Sequence, residues 1–136
     1  MKTTKTRNLL VALLALSVSL SILGLPVFAH HSNAPFDMEH PMTLKGVVTG
    51  FNWANPHAYI AIDVKSADGK VANWSVQTAA PNFLHRNGWT RDMLKPGDQI
   101  TILGFPAKDG TKNLRLDTLT LANGQTFRPY DRNSTE

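Results

Sequence analysis

Two adjacent histidines, His30 and His31, stand directly after Ala29, and a third, His57, follows Asn55-Pro56. A chain cut after Ala29 would begin with a free α-amine, whose ordinary pKa is roughly 7.7–8.0. That amine and Nδ1 of His30 can chelate one ion in a compact ring. His31 adds a second imidazole, and the intervening amide can deprotonate onto Cu(II). A planar set of nitrogen donors suits Cu(II) or Ni(II), and imidazole also suits zinc. His57 is the body's best candidate for a third imidazole. The expected cofactor is therefore copper first and zinc second, on His30, His31 and His57. The competing reading is a solvated arm, with His57 hydrogen-bonded at its turn.

The other residues of these types point to chemistry less strongly. His40 precedes a proline, and His85 is expected to pack beside Trp89. Asp37 and Glu39 offer oxygen ligands or partners for imidazole N–H groups. The sequence has no G-x-S-x-G and no H-E-x-x-H. Its 136 residues include no cysteine, which excludes disulfides, thiolate metal sites and cysteine nucleophiles. Catalysis would need a metal with an open coordination position; a binding protein is the simpler expectation.

The terminal amine exists only if a leader is removed, and residues 1–29 have the parts of one. Lys2, Lys5 and Arg7 form a basic start, Leu9 to Leu25 carries no charge, and Val27-Phe28-Ala29 ends the segment after Gly24 and Pro26. A retained membrane anchor is the alternative, disfavoured by that glycine, that proline and the small-residue ending. Cleavage leaves 107 residues, the size of one small domain. The 14 basic residues, less the three of the leader, leave 11 against 10 acidic ones. A nearly neutral exported protein, periplasmic or secreted, is expected to have neither a nucleic-acid partner nor a stable membrane insertion.

The elements that must position these groups are strands. Residues 30–42 read as an extended arm, 43–130 as the domain and 131–136 as a disordered tail. A first strand runs from Thr43 to about Trp53, with Gly46 and Gly50 marking a bulge or bend. The next alternates cleanly. Ala58, Ile60, Ile62 and Val64 face one way, and His57, Tyr59, Asp63 and Lys65 the other. Asp68-Gly69 turns the chain into a third strand with Ala72, Trp74 and Val76 inward. Pro81 opens a short helix that Asn87-Gly88 ends. Strands follow at Gln99 to Phe105 and Leu114 to Leu121, and Thr126 to Tyr130 can fold back after Asn123-Gly124.

Three strands, a short helical connection and two more strands predict a small five-stranded OB-like β-barrel, mainly β in class. A β-sandwich fragment is the alternative. On a barrel of this kind, Tyr59, Asn73, Ser75 and Gln77 share an outer face. That face is a second candidate site, for a glycan, peptide or small metabolite without any metal.

Several strings here resemble a family of small exported bacterial proteins, the domain of unknown function 6152. They are Ala29-His30-His31-Ser32, Phe36-Asp37, Leu44-Lys45-Gly46-Val47-Val48, Trp53-Ala54-Asn55-Pro56-His57-Ala58, Gly88-Trp89-Thr90-Arg91-Asp92 and Leu94-Lys95-Pro96-Gly97-Asp98. The resemblance spans nearly all of the chain after the leader and implies an exported single-domain protein. It implies no activity. It does place Trp53, Asn55, Pro56, Trp89, Arg91 and Asp92, of unknown role, in its motifs beside the three histidines.

Overall fold

The computed structural model describes residues 35–130. Six strands and one helix follow in order: β1 (Met42–Asn52), β2 (Tyr59–Lys65), β3 (Val71–Gln77), α1 (Pro81–Arg86), β4 (Gln99–Pro106), β5 (Asn113–Leu121) and β6 (Thr126–Phe127). β1 lies between β2 and β4, β3 is beyond β2, and β5 is beyond β4. A parallel pairing of β3 with β5, Ser75↔Asn113 through Gln77↔Arg115, joins the two ends. The circuit β1-β2-β3-β5-β4 is closed, and the fold is an OB-like barrel as the strand order predicts. Closure leaves no long open edge among these five strands.

β1 is long because it serves two neighbours. Met42 to Val47 pairs with β4, and Val47 to Asn52 pairs with β2, with a register shift between Val48 and Gly50. The extra residue bends the strand around the barrel, as the glycines suggested. Gly46 sits where a Cβ would come 2.8 Å from the Asp63 carbonyl oxygen, so β1 and β2 approach too closely there for any other residue. The turn before β4 is clamped to β1: the Gly97 N–H donates to the Val48 carbonyl, and the Val48 N–H donates to the Asp98 carbonyl, both at 2.8 Å.

The alternation in β2 sets the core. Ala58, Ile60 and Ile62 are fully buried and Val64 is half-buried. Leu44 and Val48 of β1, Val76 of β3, Ile100 and Ile102 of β4, and Leu114, Leu116 and Leu119 of β5 complete the interior. Leu84 of α1, Trp89 and Leu94 join the same cluster from the connection between β3 and β4. Burying a side chain of this size stabilises by about 1.5–3 kcal/mol, and packing of this kind must hold a chain with no disulfide.

The segment ahead of β1 is more than a loose covering. Phe36 is 5% exposed and pairs antiparallel with Ala107. The Asp37 N–H donates to the Pro106 carbonyl at 2.8 Å, and the Lys108 N–H to the Pro35 carbonyl at 2.9 Å. At the other terminus the predicted return after Asn123-Gly124 is β6, paired with β5 through Leu119↔Phe127. Among the described residues no helix is long and apolar enough to cross a membrane.

Candidate functional site

The outer faces of β2 and β3 meet in register: Tyr59 is opposite Gln77, Ala61 opposite Ser75, and Asp63 opposite Asn73. Tyr59 is 37% exposed, and its hydroxyl donates to Gln77 Oε1 at 3.4 Å. Tyr59, Ser75 and Gln77 form one wall of a groove of about 210 Å³. Asp109, Thr111 and Asn113, from the β4–β5 turn and the start of β5, form the opposite wall, and Pro35 and Phe36 stand at its end. Asn73 is not part of it; its amide donates to Asp63, farther along the strands.

The turn that forms the second wall is rigidly built. Asp109 Oδ1 accepts from the Thr111 N–H at 2.9 Å and from the Thr111 hydroxyl at 2.6 Å, and the Asn113 amide donates to the Thr111 hydroxyl at 2.8 Å. The Thr111 hydrogen bonds hold the Asp109 carboxyl below its ordinary value. Nothing in the alternation of the strands singled out Asp109, Thr111 or Asn113 as site residues. The signal was available, because in an OB barrel the β4–β5 connection lies beside the β2–β3 face.

His57 begins the row that Tyr59 continues. It is half-buried, and its Nδ1 is buried with no hydrogen-bond partner among the described residues. The backbone beside it is fixed: the Ala58 N–H donates to the Ala79 carbonyl, and the Ala58 carbonyl accepts from the Thr78 N–H and hydroxyl. His30 and His31 lie outside the described residues. Among the described residues there is no group of three or more His, Cys, Asp or Glu placed to hold an ion. His40 pairs with Asp37 at 2.9 Å. His85 is exposed on α1; the residue of that helix that packs inward is Leu84.

The motif residues divide into two sets. Trp89 is fully buried, and its indole N–H donates to the Arg128 carbonyl at 3.0 Å. It touches Phe127 of β6, with centroids 5.8 Å apart, and Phe51 at 6.3 Å. Phe51 in turn meets the half-buried Trp53 edge-on at 5.5 Å. Trp89 is thus a packing residue that fastens β6 and Arg128 to the barrel, and Trp53 packs against the same core through Phe51. Asn55 and Pro56, joined by a cis peptide, are exposed, as are Arg91 and Asp92. Another depression, of about 390 Å³, lies between Lys45, Lys65, Gln99 and Thr101, and no predicted site residue lines it.

Comparison with solved structures finds a likeness to the crystal structure of a mitochondrial single-stranded DNA binding protein from S. cerevisiae. The identity is 12% and the TM-score 0.48, over 61% of this chain and 93% of that one. No curated protein matches the sequence. A family model, described as Family of unknown function (DUF6152), matches residues 17–115. With that match covering most of its length, the chain belongs to this family of unknown function.

Proposed function

We propose that the protein is an exported binding protein of the bacterial envelope that holds a divalent metal, copper or else zinc, through His30, His31 and His57. The observation that carries this reading is the buried Nδ1 of His57, which has no partner among the described residues. A buried polar atom left unsatisfied costs about 1–3 kcal/mol, so a donor or an ion outside those residues is the natural complement. The arm supplies candidates. Pro35 and Tyr59 border one groove, and His57 precedes Tyr59 by two positions, about 7 Å along an extended chain. His30 precedes Pro35 by five residues, a reach of up to about 18 Å when extended.

Titrating Cu(II) into the exported protein and into His57→Ala tests the assignment. The substitution is expected to weaken binding by about tenfold or more, equivalent to 1.4 kcal/mol. Unchanged affinity would remove His57 from the site.

A second reading has its own observation. The groove of about 210 Å³ sets an exposed tyrosine among polar side chains and one carboxylate, Asp109, an arrangement suited to stacking and hydrogen bonding with a glycan, peptide or small metabolite. Here Tyr59→Ala would abolish ligand binding and leave metal affinity untouched.

A further inference from the structure

The geometry points to a separate binding site, for a small sugar phosphate, in the depression between Lys45, Lys65, Gln99 and Thr101. Its residues stand in two rows across the outer faces of β2, β1, β4 and β5. In the first row Lys45 is opposite Thr101, and Thr101 is opposite Thr120. The register Val47↔Asp63, carried two residues on, sets Lys45 across from Lys65. The second row, two residues along the strands and about 7 Å away, holds Asp63, Val47 and Gln99. Both rows line the one depression of about 390 Å³. Its floor is held firmly, because β1 and β2 approach so closely that Gly46 admits no side chain.

Charge and partnering carry the assignment. Like charges directly opposite on neighbouring strands repel, and no carboxylate relieves this pair: neither lysine is in an ion pair among the described residues. Asp63, the acidic residue of the depression, has Oδ1 taken by the Asn73 amide. The side chains of Gln99, Thr101 and Thr120 make no hydrogen bond among the described residues. In the groove beside Tyr59 the opposite holds, since Tyr59 engages Gln77 and Thr111 engages Asp109. The first row offers two ammonium groups and a hydroxyl as donors to a phosphate monoester, whose second pKa of about 6 makes it mostly dianionic at neutral pH. The second row offers acceptors, Asp63 Oδ2 and the Gln99 amide oxygen, to hydroxyl groups. Donors and acceptors in separate rows match a ligand with phosphate at one end and hydroxyls at the other. The size agrees, because about 390 Å³ falls within the roughly 300–1,000 Å³ of small-molecule sites. A water molecule takes about 30 Å³ of liquid, so a bare phosphate would fill only a small part of it.

Amide shifts of the exported protein, recorded with a chelator present so that metal plays no part, test the site with glucose-6-phosphate, glucose and inorganic phosphate as probes. Glucose-6-phosphate is expected to shift Gln99, Thr101 and Thr120 saturably, and to bind about tenfold or more tightly than either other probe. Lys45→Gln and Lys65→Gln should each weaken it by about fivefold, the upper range for an exposed ion pair. Lys108→Gln, beyond the far end of β4 and with the same change of net charge, should have no effect. No saturable shift, shifts centred on another face, an equal loss in Lys108→Gln, or either other probe binding as tightly would overturn the proposal. Neither His57 nor any residue of the Tyr59 groove lines this depression, so every outcome leaves the metal titration and the Tyr59 reading to be decided on their own.

Discussion

Single residues carry unequal burdens in this small barrel. Trp89 shows this best, because one side chain fills the core, contacts Phe51 and Phe127, and donates to the Arg128 carbonyl. Trp89→Ala is expected to cost about 3–5 kcal/mol, read from urea unfolding, and to free β6 first. Its neighbours in the motif, Arg91 and Asp92, are exposed and should change stability by no more than about 0.5 kcal/mol on substitution to Ala. A motif string thus joins one structural anchor to two surface residues.

Three carboxylates predict how the molecule responds to acid. Asp37 is held below its ordinary value of 3.8 chiefly by the His40 side-chain hydrogen bond, Asp68 by that of Ser66, and Asp109 by that of Thr111. A folded-state pKa below the unfolded one means the group stabilises the fold above about 3.8 and ceases to do so as pH falls through that range. Asp68 and Asp109 are exposed and Asp37 is half-buried, so solvent screens much of the effect and a modest decline is expected. Melting temperatures recorded from pH 6 to pH 3 should fall, and Thr111→Val should shallow the decline. A profile equally steep in that variant would contradict the role given to the turn.

At the scale of elements, bulges and close approaches determine whether the strands close. Gly104 of β4 lies at a register shift against β5, and a Cβ there would come 2.5 Å from the Arg115 carbonyl oxygen and 2.6 Å from Leu114 Cδ2. Backbone cannot yield cheaply, so Gly104→Ala is expected to destabilise by about 1–3 kcal/mol, with Gly50→Ala as a milder control because its nearest contact is 3.9 Å away. Urea unfolding of the two variants measures the difference.

The same scale decides what could be read in advance. The two faces of β2 were legible because Ala58, Ile60 and Ile62 alternate with Tyr59, the small Ala61 and Asp63, and one buried face fixes the register. The hairpin at Asp68-Gly69 and the helix start at Pro81 were legible from turn and capping chemistry. Docking of Phe36 was not, since a short stretch with two prolines has no period to betray which residue is buried. Nor was the wall formed by Asp109, Thr111 and Asn113. Those residues reach Tyr59 and Gln77 only because β3 and β5 pair in parallel across more than 30 positions of sequence, a contact that depends on the closed fold. The expected packing of His85 on Trp89 gave way to Leu84 for a similar reason: a six-residue helix buries a narrow face, and the barrel end selects the leucine.

For the molecule as a whole, closure of five strands leaves one polar outer face bordered by the arm, the β4–β5 turn and the row headed by His57. The proposed metal site would join that face to the terminus that export would create. The terminal chelate ring needs a free α-amine on His30, which makes the claim sensitive to any group that blocks that amine. The deciding measurement is therefore a Cu(II) titration of protein whose first residue is verified by mass spectrometry as His30, beside the same protein with its α-amine acetylated. The account predicts tight binding by the first and a loss of about tenfold or more, at least 1.4 kcal/mol, in the second. Equal affinities, or no binding by the protein that begins at His30, would contradict it.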